Sequence, residues 1–411
     1  MEKDRLTPEN ENEKTPQNVE SAEKNKKKRK KPRGFVVFLI VLSVLLALAI
    51  TLTSVGIVYV KKNFNYKYND ITSKPEDLGF QEVKDDEIVN IALFGIDTTN
   101  PNSFKGRSDS IMILSINKTD NKVKLISVLR DSYVPMDSDT QIIYAKINNA
   151  YASGGPERAI KTLNNVFALD ISEYATVNFY GMADIIDAMG GVEVPVTEAE
   201  IFRINIGVKE QCKKIGLDPE EYKVSKSGTQ HLNGIQAVSY ARIRYVANAE
   251  GETNDYGRTD RQRYVLGQLF KKVKSLEKSK YVNLIKTVSP YCETSLSYTE
   301  ILGLALDVLI DSPTFEESRV PSSEYTMRAP KTSSGSIAYY DLNFAANLIH
   351  AFIYEDVKPE VFIKENGVEK NDWYKNGYEK PIIITHEERQ KKKAEAETST
   401  TESQNNSAVT E

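Results

Sequence analysis

Apolar and polar positions divide this chain into blocks with different periods. Gly34–Val60 contains no charged residue, and such a run exceeds the roughly 20 apolar residues that a bilayer-spanning helix needs. Further on, apolar runs of strand length recur. Ile88–Ile96 predicts a buried strand ending at Gly95-Ile96-Asp97, Ser110–Ile116 a second, and Val123–Leu129 a third. The polar run Asn117–Asn121 between the last two reads as a hairpin turn. Pro156–Ala168 predicts a helix with proline in its first turn, where the missing N–H costs nothing. Tyr174–Phe179 and Val192–Val196 read as strands, and Met182–Met189 as a helix with Met182, Ile185, Ile186 and Met189 on one stripe. Thr197–Gly228 reads as an irregular, charged insertion. Helices are expected at His231–Arg242, Arg261–Leu276, Ser297–Ile310 and Asp341–Tyr354. The expected fold is α/β, a mixed β-sheet covered by helices in an α/β/α sandwich, preceded by one transmembrane helix.

The resulting division is a disordered basic tail (1–33), a transmembrane helix (34–60), a stalk (61–86), a catalytic domain (87–280), a partly structured C-terminal extension (281–388) and a disordered tail (389–411). Charge gives this order a direction. Residues 24–33, Lys-Asn-Lys-Lys-Lys-Arg-Lys-Lys-Pro-Arg, are densely basic, and the weaker Lys61-Lys62 follows the apolar run. Such an asymmetry places the N-terminus in the cytoplasm and everything from Lys61 onward outside. The run is too long for a signal-peptide core, and no Ala-x-Ala-like cleavage site follows it. An external domain has no ATP supply, so an activated substrate must reach it across or within the membrane.

The whole-chain net charge of −4 gives no sign of nucleic-acid binding. Only Cys212 and Cys292 carry thiols, and only His231, His350 and His386 carry imidazoles. None falls into a zinc spacing or a nucleophile-plus-base pattern. Arginine is the conspicuous side chain instead. Ala241–Arg263 holds Arg242, Arg244, Arg258, Arg261 and Arg263, with Asp255, Asp260 and Gln262 among them. A second set lies far upstream at Arg107-Ser108-Asp109 and Arg130-Asp131. Guanidinium forks bind phosphate oxygens bidentately, so convergence of the two sets would make a site for a phosphorylated ligand. The alternative is a solvated charged face with structural ion pairs, in which Asp97 and Asp109 are turn or capping residues.

The ordered motifs Phe94-Gly95-Ile96-Asp97, Arg107-Ser108-Asp109, Arg130-Asp131, Lys146-Ile147-Asn148 with Tyr151, Gly190-Gly191-Val192, Leu232-Asn233-Gly234, Arg242-Ile243-Arg244-Tyr245 and Asp255-Tyr256-Gly257-Arg258 with Arg261-Gln262 resemble the LytR-CpsA-Psr family of cell-wall glycopolymer ligases. The resemblance spans about residues 88–275 and departs at Leu129, where the family usually has proline. It implies an extracellular phosphotransferase, anchored in a Gram-positive cell membrane. Such an enzyme moves a phosphate-linked polymer (teichoic acid, capsule or similar) from a polyprenyl pyrophosphate carrier to peptidoglycan. By this resemblance the catalytic set is Asp97, Arg107, Asp109 and Arg130. Asp97 and Asp109 would hold Mg²⁺ (or Mn²⁺), and Arg107, Arg130, Arg242, Arg244, Arg258 and Gln262 would hold the pyrophosphate. The lipid tail would enter an apolar pocket between sheet and helices. The general base stays open among Asp97, Asp109, Asp131 and Asp260.

Two other readings compete. A transcriptional regulator would put the basic block on DNA, but about thirty cytoplasmic residues leave no room for a helix-turn-helix. A lipid-pyrophosphate hydrolase would use the same site with water as acceptor.

Overall fold

The structure is a computed structural model. It describes residues 66–391 except 72–73, 75, 81–84, 86, 99, 138–140, 278–279, 302, 305–312, 323, 327–336 and 368–377. The apolar run Gly34–Val60 lies outside the described residues, as do both expected disordered tails apart from residues 389–391. Among the described residues, no helix is long and apolar enough to cross a membrane.

Seven strands form the central mixed sheet. In chain order they are β1 (Lys67–Tyr68), β2 (Ile88–Asp97), β3 (Arg107–Asn117), β4 (Lys122–Val128), β7 (Glu173–Asn178), β10 (Cys292–Thr294) and β11 (Thr314–Val320), arranged β1-β10-β7-β2-β3-β4-β11. Two ribbons stand apart, β5 (Tyr133–Asp137) with β6 (Ile142–Lys146), and β8 (Val192–Val196) with β9 (Gly228–Leu232). Between β3 and β4, Asn117 Oδ1 accepts from the Asp120 N–H at 2.8 Å and Asn121 takes φ 52°, the chemistry of the expected hairpin turn.

Strand alternation decides which helices cover which face. Ala92, Phe94 and Ile96 pack with Ile160, Leu163 and Phe167 of α1 (Asn148–Phe167), and with Leu348, Ile349 and Phe352 of α7 (Leu342–Tyr354). On the other face, Leu93, Gly95 and Met112 meet α2 (Phe179–Ala188) and α5 (Asn254–Ser275) across a cavity. Outside these, β8 and β9 enclose a second core with α3 (Glu198–Ile215) and α4 (Gly234–Ala241). The layering is therefore helix, sheet, helix, as expected.

Several element boundaries differ from expectation. Helix α1 starts at Asn148 and kinks at Gly154–Gly155, with Gly155 at φ 67°, so Pro156 begins the second half without breaking a ladder. The expected irregular insertion 197–228 is largely helix α3. Its start was legible in Thr197-Glu198-Ala199-Glu200, a capping-box spacing, and Glu200 Oε2 accepts from the Thr197 N–H at 2.7 Å. Helix α4 starts at Gly234 rather than His231. Asn233 and Gln236 exchange capping bonds of 3.0 Å, leaving His231 on β9 opposite Glu193. Helix α5 begins seven residues before the expected Arg261, so Arg258 lies inside it rather than ahead of it.

The expected stalk and C-terminal extension take part in the sheet. Strand β1 pairs with β10, and β11 pairs with β4. On α7, His350 Nε2 lies 3.0 and 2.9 Å from the carbonyls of Phe167 and Ala168 at the end of α1. After it comes α8 (Pro359–Asn366), while α6 (Tyr281–Val288) precedes β10.

Candidate functional site

The ends of β2, β3 and β4 meet the start of α5 at one edge of the sheet. Asp97 closes β2 and pairs in register with Arg107. Along β3, Ser110 pairs with Gly95 and Ser108 with Ile96, which leaves Asp109 as the extra residue of a β-bulge. A bulge re-aims a side chain at a strand end. A Cβ on Gly95 would stand 2.8 Å from the Ser110 Cβ, so this close approach of strands requires glycine. Arg130 follows β4, Arg242 caps α4 at its C-terminus, and Arg258 and Gln262 sit one turn apart on α5.

These elements enclose a chamber of about 510 Å³ lined by Asp97, Arg107, Asp109, Arg130, Phe179, Arg242, Arg244, Arg258 and Gln262. Every predicted site residue is on this wall. Phe179 is the addition, and no feature of its sequence neighbourhood announced it. Arginines outnumber carboxylates on the lining, so the chamber suits an anion.

The guanidiniums are held from behind by carboxylates. Arg130 Nη1 donates to Asp109 Oδ2 at 2.7 Å, and Arg258 Nη1 lies 3.8 Å from the same oxygen. Asp255 sits among three arginines: Arg244 Nε donates to its Oδ1 at 3.1 Å, Arg258 Nη2 lies 3.2 Å from that oxygen, and Arg130 Nε lies 3.6 Å from Oδ2. Asp131 pairs with Lys146 at 3.0 Å and lies 3.8 Å from Arg244 Nη2. Arg242 packs 4.7 Å from the centre of the Phe179 ring, with Nη2 3.8 Å from Asp97 Oδ2. Asp255 and Arg258 are i,i+3 neighbours on α5, a pairing that an expected helix start at Arg261 left out.

Burial and charge pull these groups in opposite directions. Burial opposes the Asp255 charge, but a hydrogen bond with Asp131 and the charges of Arg258, Arg130 and Arg244 hold its carboxyl well below the usual range. Burial and the bond to Asp255 push the Asp131 carboxyl up. Burial lowers the Arg258 guanidinium to about 10 despite Asp255. Arg258 Nε and Gln262 Oε1 are buried and have no hydrogen-bond partner. Such atoms are costly unless a ligand satisfies them.

A second cavity of about 220 Å³ joins the chamber, sharing Phe179, Arg242 and Gln262 with it. Its other walls are mostly apolar, among them Met112, Val177, Met182, Val238, Val265 and Leu266, with Ser110, Thr176 and Asn178 the polar exceptions. Of the expected α2 stripe, Met182 and Ile185 line this cavity, while Ile186 is fully buried in the second core.

Two arginines of the Ala241–Arg263 cluster turn away from the chamber. Arg261 is buried against Glu200, and Arg263 pairs with Asp260 at 2.5 Å. Asp260 also accepts from Arg319 Nη1 at 2.8 Å and is not on the chamber wall, so it is no longer a candidate base. Cys212 and Cys292 are both free thiols.

With the arginine chamber and its apolar annex in place, residues 54–346 match the LytR_cpsA_psr family. The chain belongs to this family. Among LytR_cpsA_psr relatives, it is 32% identical over 218 residues to the polyisoprenyl-teichoic acid–peptidoglycan teichoic acid transferase TagV of Bacillus subtilis. That match covers 53% of this chain and 51% of TagV, about half of each. It is 31% identical over 281 residues to the corresponding transferase TagU of Enterococcus faecalis, covering 67% of this chain and 84% of TagU. The structure of TagT (YwtF) with bound octaprenyl pyrophosphate lipid superposes with a TM-score of 0.50 at 20% identity, over 70% of this chain and 99% of TagT, and shares the fold.

Proposed function

We propose that the chain is a membrane-anchored phosphotransferase that moves a phosphate-linked glycopolymer from a polyprenyl pyrophosphate carrier to peptidoglycan. The observation that carries this reading is the joining of an arginine-lined chamber to an apolar cavity at Phe179, Arg242 and Gln262. A diphosphate esterified to a long hydrocarbon chain has the same polarity pattern. Two relatives, TagV and TagU, are named as transferases of polyisoprenyl-linked teichoic acid to peptidoglycan.

In this reading Arg130, Arg242, Arg244 and Arg258 hold the diphosphate oxygens, with Arg107 at the exposed rim. Gln262 and the unpaired Arg258 Nε are donors and acceptors left for it. An acceptor hydroxyl oxygen attacks the phosphorus that carries the polymer. The bond from that phosphorus to the bridging oxygen breaks, and polyprenyl phosphate leaves. Guanidiniums fixed by Asp109 and Asp255 need not reorganise as negative charge builds on the leaving phosphate. The hydroxyl proton passes to a carboxylate at or beside the chamber, Asp97, Asp109 or Asp131.

Among the described residues, no group of three or more Asp, Glu, His or Cys side chains converges on a cation position. Asp97 and Asp109 are the carboxylates on the chamber wall. That donor set fits Mg²⁺ (or Mn²⁺), which is commonly held by one or two carboxylates with phosphate oxygens and water completing the shell. Bound there, the ion would supply positive charge beside the diphosphate.

We place Gly34–Val60 across the membrane with the folded part outside, on the strength of the basic block before it. Protease added to intact protoplasts should then remove the folded part, and complete resistance before lysis would count against this topology. For the reaction, the full chain in detergent is incubated with a polyprenyl-pyrophosphate saccharide and peptidoglycan, and the products are weighed by mass spectrometry. Polymer joined to peptidoglycan through one phosphate is expected. Polymer phosphate released equally with and without peptidoglycan would instead make the protein a hydrolase.

A further inference from the structure

Beyond the chamber, the β5–β6 ribbon presents two unlike faces. Val134 and Met136 are buried in the core against α1, and Ala145 packs beside them. Tyr133, Pro135, Asp137, Ile142, Tyr144 and Lys146 alternate with these on the other side; there Pro135 is buried and Tyr133 packs partly against the core, so Ile142 and Tyr144 are its exposed apolar side chains. On it, the Tyr133 and Tyr144 rings lie 6.3 Å apart at 32°, Tyr144 is 41% exposed and Ile142 59%. At its inner end, Lys146 bonds Asp131 at 3.0 Å, and Asp131 lies 3.9 Å from Arg130 Nε and 3.8 Å from Arg244 Nη2. One buried carboxylate, Asp131, thus links this face to two arginines of the chamber wall.

We propose that the outer face of the β5–β6 ribbon is the platform on which the acceptor saccharide of peptidoglycan lies. The proposal rests on the phosphotransferase reading above. A pyranose ring has an apolar C–H face and a rim of hydroxyls. A flat aromatic surface packs the former, and a neighbouring Asp–Lys pair bonds the latter. Position selects the acceptor over the donor. The apolar cavity joins the chamber at Phe179, Arg242 and Gln262 and lies over β10, β7, β2 and β3. The ribbon reaches the chamber through Asp131, which bonds Lys146 of the ribbon and lies beside Arg130 and Arg244, beyond the end of β4. In phosphoryl transfer the attacking and leaving oxygens are roughly in line, on opposite sides of phosphorus. Polyprenyl phosphate departs on the cavity side, so the nucleophile enters from a different wall, and the ribbon supplies a carbohydrate-binding surface at one.

The test uses the full chain in detergent and a soluble peptidoglycan tetrasaccharide. Tyr144→Ala and Ile142→Asn are made separately, with Tyr144→Phe as the conservative control and thermal unfolding as the check on fold. Direct binding of the tetrasaccharide without donor is measured by calorimetry, so this arm does not depend on transfer occurring. Tyr144→Ala should weaken it about tenfold, while Tyr144→Phe keeps most of it. In the transfer assay, KM for the acceptor should rise in Tyr144→Ala and Ile142→Asn, with donor KM unchanged. Unaltered tetrasaccharide affinity in folded Tyr144→Ala, or no binding by the wild type, overturns the proposal. A raised donor KM with normal acceptor binding would assign the ribbon to the donor's polymer and also overturn it. Normal tetrasaccharide binding that depends on Tyr144, with no transfer by the wild type, would instead count against the phosphotransferase reading and leave the platform standing.

Discussion

Arg261 Nε donates to Glu200 Oε1 at 2.6 Å, with both side chains fully shielded from solvent. Its two Nη atoms donate to the carbonyls of Ile243 and Val246, at 3.2 and 2.9 Å. The guanidinium thus clamps the backbone on both sides of Arg244, a chamber residue. Removing one partner of a buried ion pair leaves the other charge uncompensated, at about 3–5 kcal/mol. Arg261→Ala should be destabilised by that order in urea unfolding followed by circular dichroism. The double change Arg261→Met with Glu200→Leu should recover part of the loss, since apolar replacements of a buried pair are often tolerated. Single variants as stable as the wild type would remove the clamp from the account.

Arg130 and Arg258 approach the chamber from opposite ends of the sequence motif set, yet both lie against Asp109. Each charge-assisted contact to the diphosphate is worth roughly 1.5–3 kcal/mol. Either alanine substitution should therefore lower kcat/KM for transfer about tenfold to a hundredfold. Lysine should rescue only in part, because it keeps the charge and loses the planar fork. The double variant should lose less than the product of the single losses, because residues acting as a unit are not additive. Near wild-type transfer by folded Arg130→Ala and Arg258→Ala proteins would sink the shared-site reading.

Asp255 carries a pH signature. Its carboxyl lies below the usual range in the fold, against burial, through Asp131 and three arginines. A depressed value contributes stability that is complete above the unfolded carboxylate value, about 4, and is lost as pH falls through the folded value. Asp131 works the other way. Burial raises it, so its share is complete below about 4 and is lost as pH rises through its folded value. The stability gap between wild type and Asp255→Asn should therefore be widest near neutral pH and shrink as pH falls below about 4. Unfolding free energies across that range decide it, and a gap independent of pH would refute the assignment.

The apolar cavity makes a substrate-length prediction. Met182 lines it on α2, and Met182→Trp should narrow it. KM should rise for a long polyprenyl donor and change little for a donor with a single short isoprenoid. An equal effect on both would mean the cavity does not take the tail.

What the sequence determined by itself was local. The apolar run Ile88–Ile96, turn chemistry at Asn117–Asn121 and the motif order around Asp97, Arg107, Asp109 and Arg130 all depend on neighbouring residues. The apolar pattern therefore marks the strands, and the resemblance of the ordered motifs to a known family marks the chamber wall. Even the missed start of α3 was written locally, in Thr197 and Glu200. Tertiary structure alone decided which arginines face the chamber. Arg258 and Arg261 are three residues apart on α5 with the same side chain, yet one faces the chamber and the other pairs with a carboxylate 61 residues away. It also decided that two-residue β1 and three-residue β10 extend the sheet, since strands so short carry no period of their own. The bulge at Asp109, the shared proton environment of Asp131 and Asp255, and the meeting of chamber and cavity at Phe179 belong to the same class. Each is set by groups distant in the chain and brought together only when the sheet closes, where burial and charge act on them at once.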